Sequence, residues 1–200
     1  MSLKEQIYST LIVSASESFN LSLTALLPKS NYSPVHIVKN IAAAKRTAAE
    51  KNFDFIFINS PLPDDPGMRF AIDTCTTKNT VVIILVKTDI HDVVHGRVAE
   101  HGVFTLPKPI SRSTLLQALS WMVSARECLR RFEKKTLSIE EKMMEIRIVN
   151  RAKWLLISEQ NMTEPDAHRY LEKQAMDRGM SKRSIAEEII HSKYIFSTEK

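Results

Sequence analysis

Short apolar segments alternate with helical segments through the first half of the chain, and this alternation constrains the fold more than any other feature. The two longest apolar runs, Phe53–Ile58 and Val81–Val86, are typical of central strands that are buried on both faces. Shorter strand candidates are Thr10–Val13, Val35–Val38 and Val103–Leu106. Five strands separated by helices predict an α/β domain with a doubly wound, five-stranded parallel sheet.

Helical periodicity fills the intervals between these strands. Phe19–Leu27 repeats apolar residues three and four positions apart, and Asn40 can cap the alanine-rich segment Ile41–Lys51. Ile90–His101 is a further helical segment. Prolines and a glycine between positions 61 and 67 predict a loop just beyond the third strand.

After Ser111 the pattern becomes entirely helical, with apolar residues at the spacing of a coiled-coil seam. Ser111 or Ser113 can cap this helix, while Ser138 and Glu141 resemble a second helix start, so one long helix and two abutting helices both fit. Over Leu115–Met122, we expect the apolar stripe of this helix to pack on its own domain. Beyond Leu129, contact with a second copy of the chain is the better explanation of the stripe. The predicted dimerisation residues are Met122, Leu129, Phe132, Ile139, Met143 and Ile146.

The last forty residues predict two short helices with clear boundaries. Thr163 opens the first of them, with Pro165 in its first turn, and Gly179 closes it. Ser181 caps the second. Together with the segment 143–160 they form an all-α, three-helix module. We therefore divide the chain into residues 1–124, a coiled-coil linker at 125–140, and residues 141–200.

Composition narrows the functional class. Apolar residues make up 44% and charged residues 26% of the chain, which are ordinary globular values, and the net charge of +5 favours an anionic partner without establishing one. The apolar runs are too short to span a membrane, and the first ten residues lack the apolar core of a signal peptide. We expect a cytoplasmic protein with no metal and no cofactor. Because no nucleophile–base pair or phosphate loop is evident, we expect no enzyme activity.

Residues 10–125 resemble the receiver domain of response regulators. The segments that carry the resemblance are Asp54–Asn59, Leu62–Gly67 and Gly102–Pro109. The family implies a flavodoxin-like fold with a phosphoryl-accepting Asp at the end of the third strand. It also implies an acidic pair after the first strand that holds Mg²⁺, a Thr or Ser ending the fourth strand, and a Lys before a proline after the fifth.

This sequence departs from the receiver pattern at most of those positions. The phosphoacceptor position is Asn59, the acidic pair falls on Ser14 and Ala15, and the hydroxyl position falls on Val86; only Lys108 is retained. An amide is a poor nucleophile, and Mg²⁺ prefers carboxylate oxygens. We therefore predict a pseudo-receiver that is not phosphorylated on aspartate. In it, Lys108 bonds the Asn59 amide, and Pro109 follows a cis peptide as in receivers.

Residues 138–192 resemble the ANTAR family of transcription antiterminators. The segment Ile148–Ile157 matches a family pattern of Arg, two residues, Ala-Lys-Gly and an apolar pair. Met162–Leu171 and Ser184–Ile190 match the second and third helices of the family. Trp154 replaces the usual Gly, and Ile157 the usual Met.

The ANTAR resemblance implies binding to paired RNA stem-loops in leader transcripts, which prevents a terminator hairpin from forming. Ala152 would allow close approach of the RNA. Trp154 would either fill a groove or stack on a base, or else be a buried or half-buried aromatic. The residues that the resemblance and their charge assign to RNA are Arg147, Arg151, Ala152, Lys153, His168, Arg169, Lys173, Lys182 and Arg183.

Two other functions stay open on the sequence alone. Receivers often precede DNA-binding domains, and Ser181, Lys182 and Arg183 are the best candidates for reading bases from the start of a helix. A protein-interaction adaptor that binds a sensor or regulatory protein is the third hypothesis. Neutralisation of the basic residues by neighbouring carboxylates would favour it.

Overall fold

A computed structural model describes residues 6–197 and the side chains of residues 6–192. The chain divides into two compact units, with the boundary between Arg130 and Arg131. This boundary falls inside the segment 125–140 that we assigned to a linker helix. Within residues 6–197, no helix combines the length and the apolar character needed to span a membrane.

The first unit contains a five-stranded parallel sheet. Its strands are β1 (Tyr8–Val13), β2 (Tyr32–Val38), β3 (Phe55–Asn59), β4 (Val81–Lys87) and β5 (Phe104–Lys108). The strands lie in the order β2-β1-β3-β4-β5, which is the flavodoxin-like order. The predicted fold class is confirmed.

Seven α-helices are present in the described part of the chain. They are α1 (Glu17–Thr24), α2 (Ile41–Glu50), α3 (Met68–Lys78), α4 (His91–Val98), α5 (Arg112–Gln160), α6 (Glu164–Arg178) and α7 (Lys182–Ser197). The predicted helix Ile90–His101 is α-helical only at its centre, because short 3₁₀ turns at Thr88–Ile90 and Ala99–His101 flank α4.

Strand β3 is buried on both of its faces. Ile56 and Ile58 pack with residues of α2, α3 and α4, whereas Phe55 and Phe57 pack with residues of α1 and α5. Burial of side chains of this size stabilises the sheet by about 1.5–3 kcal/mol each. Our reading of Phe53–Ile58 as one apolar strand is wrong at its start, because Asp54 interrupts the run and β3 begins after it.

Asp54 anchors helix α5 to the first unit. Its Oδ1 accepts hydrogen bonds from Arg126 Nε at 2.8 Å and Arg130 Nη2 at 2.9 Å, and its Oδ2 accepts from the backbone and hydroxyl of Ser9. Burial alone would raise the pKa of Asp54, but the bonds from Arg126 and Ser9 and the charge of Arg130 outweigh it and lower the pKa. The carboxylate is therefore a fixed ionic contact between the residue that precedes β3 and α5.

A second contact supports the same anchor. The hydroxyl of Tyr8 donates to Glu127 Oε1 at 3.0 Å, and the guanidinium of Arg130 lies 5.0 Å from the centre of the Tyr8 ring. Arg130 also donates to Glu127 at 2.9 Å. Burial, followed by the bond to Glu127, raises the pKa of Tyr8 to about 12.

Helix α5 is continuous over 49 residues, so the interpretation as one long helix is correct. The hydroxyl of Ser111 accepts from the backbone N–H of Thr114 at 3.0 Å, which makes Ser111 the capping residue. The alternative start at Ser138 is wrong, because that residue lies inside the helix.

The predicted dimerisation residues divide into two groups. Met122 is fully buried and Leu129 half-buried, and both pack on the core of the first unit. The assignment of Met122 to a dimer contact is therefore corrected, because its side chain is fully used in intramolecular packing. Leu129 shares in that packing and stays a predicted contact. The remaining residues, Phe132, Ile139, Met143 and Ile146, are exposed.

The second unit contains the three-helix module. The Thr163 hydroxyl accepts from the Asp166 backbone N–H and caps α6, and Gly179 ends that helix with a left-handed φ of 60°. The Ser181 hydroxyl accepts from the Ser184 N–H at the start of α7. Its core contains Ala152 and Leu156 from α5, Ala167, Leu171 and Ala175 from α6, and Ile185 and Ala186 from α7.

Candidate functional site

The degenerate phosphoacceptor site lies at the carboxyl ends of the parallel strands. Asn59 ends β3, Ser14 follows β1, and Lys108 ends β5. The Asn59 Nδ2 donates to Ser14 Oγ at 3.0 Å, and Lys108 Nζ donates to Asn59 Oδ1 at 2.8 Å. The predicted contact between Lys108 and the Asn59 amide is confirmed, and the three side chains form one hydrogen-bonded chain.

Further contacts surround these three hydrogen-bonded side chains. Lys108 Nζ also donates to the Ser60 carbonyl, and the Lys108–Pro109 peptide is cis, as predicted. Burial, assisted by the nearby charge of Lys87, lowers the pKa of Lys108. Of the other two predicted positions, Val86 is buried in the core and Ala15 is exposed.

The donor set at this site does not fit Mg²⁺. The Ser14 hydroxyl and the Asn59 amide nitrogen are hydrogen-bonded to each other. The Asn59 amide oxygen accepts a hydrogen bond from the ammonium of Lys108. Mg²⁺ is normally bound through carboxylates. In the part of the chain with described side chains, no three His, Cys, Asp or Glu residues are placed to hold a metal ion.

The two acidic residues in the loop that follows Asn59 have structural roles. Asp64 accepts from the backbone N–H groups of Ile41 and Ala42 at 3.0 and 2.9 Å, where it caps α2, and these bonds lower its pKa. Asp65 accepts from the Gly67 N–H at 2.6 Å. Both carboxylates therefore bind backbone N–H groups of the protein itself.

The second candidate site is the basic surface of the three-helix module. Arg147 and Arg151 are exposed one turn apart on α5, and Arg169 and Lys173 are exposed one turn apart on α6. The side chains of Arg147, Arg169 and Lys173 form no ion pair or hydrogen bond with another residue of the described chain. These cations are available to an external anion.

The other predicted RNA contacts are engaged inside the module. Lys153 pairs with Glu164 at 2.7 Å, and Lys182 and His168 both lie against Glu172, at 2.5 and 3.3 Å. These contacts lower the pKa of Glu164, chiefly through Lys153, and of Glu172, chiefly through Lys182. Arg183 pairs with Glu187 at 2.8 Å.

An additional ion pair joins α6 to α7. Arg178 donates two hydrogen bonds to the Glu188 carboxylate, at 2.6 and 2.9 Å. The ten-residue separation across a turn carries no periodic signal that would have revealed this partner.

Ala152 and Trp154 occupy opposite environments. Ala152 is fully buried in the core of the module, so its small side chain permits close packing of helices and the expectation that it adjoins RNA is corrected. Trp154 is 70% exposed. The interpretation of Trp154 as a buried aromatic is therefore wrong.

Comparisons with known proteins agree with this architecture. Residues 138–190 match the family model described as the ANTAR domain. A transcriptional regulatory protein named PdtaR, from two strains of Mycobacterium tuberculosis, is 26% identical over 139 residues, which are 70% of this chain and 68% of that protein.

The solved structures show the fold of the first unit. The signal receiver domain of an HD domain-containing protein from Pseudomonas fluorescens Pf-5 aligns with a TM-score of 0.56 and 20% identity, covering 66% of this chain and 96% of that one. A solved structure of adenylate cyclase from Rhodopirellula baltica aligns with a TM-score of 0.57 and 18% identity, covering 65% of this chain and 97% of that one. Residues 138–190 of this chain are therefore an ANTAR domain, and they follow an N-terminal domain with the receiver fold.

Proposed function

We propose that this chain is an RNA-binding transcription antitermination regulator, acting in the cytoplasm on leader transcripts. The observation that carries the proposal is the ANTAR domain with exposed cations, on two of its helices, that have no partner among the described side chains. Stem-loops that compete with a terminator hairpin are the corresponding ligand. Neither domain is assigned an enzymatic role.

The exposed cations supply the phosphate contacts in this proposal. Arg147 on α5 and Arg169 and Lys173 on α6 are available to the RNA backbone. Binding of such groups to phosphates releases condensed counterions, so affinity falls as salt rises. Lys153, His168, Lys182 and Arg183 would join the interface only after exchanging a carboxylate partner for a phosphate.

The receiver-like domain acts without aspartyl phosphorylation in this proposal. The support is the neutral amide of Asn59, which is bonded to Ser14 and Lys108. Its role would be to hold the long helix α5 and to contact a sensor or regulatory protein.

Dimerisation through α5 is part of the same proposal. Phe132, Ile139 and Ile146 are spaced at seven residues, and Met143 lies between the last two. All are exposed, and exposed side chains throughout 134–147 leave this stretch of helix open to a second copy. A homodimer would present two ANTAR domains to tandem stem-loops.

A protein-interaction adaptor is the second candidate. The ion pairs of Lys153, Lys182 and Arg183 favour it, because they reduce the positive charge that RNA would meet. The same pairs count against DNA recognition by the start of α7, since Lys182 and Arg183 were its candidate base-reading residues.

A salt-titrated binding measurement tests the proposal. Tandem stem-loop RNA from the leader of the protein's own operon is compared with duplex DNA of equal length. We expect selective RNA binding, and we expect the R147A/R169A/K173A variant to reduce the slope of log affinity against log salt by roughly 2 to 3.

A matched variant controls for general charge. The K45A/R46A/R97A variant removes two arginines and one lysine from exposed helical positions of the first unit. We expect it to bind RNA as the unmodified protein does. Equal binding of RNA and DNA, with the two variants behaving alike, would contradict the proposal and direct the search to protein partners.

A further inference from the structure

The side chain of Trp154 is exposed in a way that packing does not explain. It is 70% exposed, compared with 49% for Trp121, the other tryptophan of the chain. Ala152 and Leu156, two residues before and after it, are buried in the core of the module. The indole therefore projects from the side of α5 that faces away from α6 and α7.

Basic residues share the face of α5 that carries Trp154. Each residue of an α-helix advances by about 100°, so Arg147 lies within about 20° and Arg151 within about 60° of Trp154 around the axis. Arg147, Arg151 and Trp154 are all exposed. A flat aromatic surface thus lies beside two guanidinium groups within two turns of one helix.

The predicted dimer seam lies on a different side of the helix. By the same helical geometry, Trp154 is about 80° from Ile146, whereas Ile139 lies within about 20° of Ile146. Phe132 continues that seam toward the amino end. Continuation of the seam past Ile146 therefore does not account for Trp154.

We propose that Trp154 stacks on an unpaired base in the loop of an RNA stem-loop while the neighbouring arginines contact the adjoining phosphates. This inference rests on the proposed RNA-binding function and assigns one residue to recognition of the loop. Bases in a paired stem have their faces covered by neighbouring pairs, whereas loop bases can be turned outward onto an aromatic ring. An exposed indole beside cations provides the platform that such a base requires.

Tryptophan emission provides a direct test in the full-length protein. The W121F variant retains Trp154 as its single tryptophan, and the W154F variant retains Trp121. On addition of the leader RNA, we expect quenching of the emission of W121F and little change in that of W154F. We expect W154A to bind roughly 5- to 150-fold more weakly, the equivalent of losing one stacked base, and W154F to bind with intermediate affinity.

Abasic RNA identifies the partner of the indole. Each loop nucleotide is replaced in turn by an abasic residue, and each RNA is measured with the unmodified protein and with W154A. At the stacking position, we expect the abasic RNA to bind the unmodified protein as weakly as intact RNA binds W154A. The two changes together should add little further loss.

The outcomes separate this inference from the proposed function. Tight RNA binding by W121F with unchanged emission, together with unaltered affinity of W154A, would overturn the stacking role and leave RNA binding intact. A change in sedimentation of W154A without RNA would also overturn it, because the indole would then belong to a subunit contact. Failure of the unmodified protein to bind any leader RNA would overturn both proposals.

Discussion

The ammonium of Lys108 donates a 2.8 Å hydrogen bond to the amide oxygen of Asn59. The amide oxygen accepts the hydrogen bond of the lysine without carrying a negative charge. The amide nitrogen in turn donates to the Ser14 hydroxyl. The site is thus a closed set of hydrogen bonds between neutral groups and one cation. It has neither an ionised nucleophile nor a carboxylate ligand for Mg²⁺ among the five predicted positions.

Restoring the single carboxylate should not restore phosphorylation. We expect N59D to remain unlabelled by a small acyl phosphate and Mg²⁺, because positions 14 and 15 still provide no carboxylate to neutralise the phosphoryl oxygens. The S14D/A15D/N59D variant supplies all three acidic groups and should accept label. Intact-mass spectrometry distinguishes these results, and labelling of the unmodified protein would contradict the pseudo-receiver interpretation.

The ionic contact of Asp54 should dominate the acid sensitivity of the first unit. We expect D54N to lower the free energy of unfolding at pH 7 by about 1.5–3 kcal/mol, because Arg126 and Arg130 lose hydrogen bonds to a charged partner. The folded-state pKa of Asp54 is lowered, so its contribution is present above the ordinary value of 3.8 and is lost as pH falls through the folded value. Urea unfolding between pH 7 and pH 3 should therefore show a shallower acid loss in D54N.

The D73N variant controls for the removal of one carboxylate. Asp73 is exposed on α3, and its carboxylate has no partner in the described part of the chain. We expect the acid dependence of D73N to follow that of the unmodified protein. If D54N lost as much unfolding free energy between pH 7 and pH 3 as the unmodified protein, the contact of Asp54 would not govern the acid sensitivity.

Tyr8 should give the first unit a distinct alkaline sensitivity. Its pKa is raised from 10.0 to about 12, so the contact with Glu127 stabilises the fold fully below pH 10 and is lost as pH rises toward 12. We expect the unfolding free energy of Y8F to fall less over this window than that of the unmodified protein. Y170F, at an exposed position, serves as the control, and identical alkaline profiles for all three proteins would contradict the prediction.

Local patterns predicted the five strands, most of the helices and most of their ends, but no helix was named at the position of α3. The buried run Val81–Val86 is a central strand, and Ser111, Thr163 and Gly179 mark helix ends as their side chains or backbone freedom indicated. The bond between Lys108 and Asn59 was predictable because the carboxyl ends of parallel strands meet at one edge of a sheet.

Contacts between distant segments were not predictable in the same way. Arg126 and Arg130 lie 72 and 76 residues beyond Asp54, and no periodicity connects positions so far apart. Ala152 illustrates a second limit: a small side chain permits close approach of either a ligand or another helix, and only the packing of the module decides between them.

Charges placed on the exposed seam of α5 should separate the subunits of the proposed dimer. We expect I139K/I146K to sediment as a monomer, because burying two ammonium groups in a coiled-coil seam is strongly unfavourable. L137K/M144K places the same charges, seven residues apart, on exposed apolar positions of roughly the opposite side of the helix. If only L137K/M144K dissociated, the dimer interface would lie on that opposite side of the helix. If the unmodified protein sedimented as a monomer, the proposed dimer would be contradicted.

Removal of the carboxylate that pairs with Lys182 should strengthen RNA binding by the ANTAR domain. Glu172 pairs with Lys182 at 2.5 Å and with His168 at 3.3 Å, so E172Q frees Lys182 to contact phosphate. D177N changes the net charge equally but removes an exposed carboxylate that has no partner among the described side chains. We expect E172Q to steepen the salt dependence of RNA affinity by about 1 relative to D177N. Equal slopes would mean that Lys182 lies outside the RNA interface, and that its pair with Glu172 serves only to hold α6 against α7.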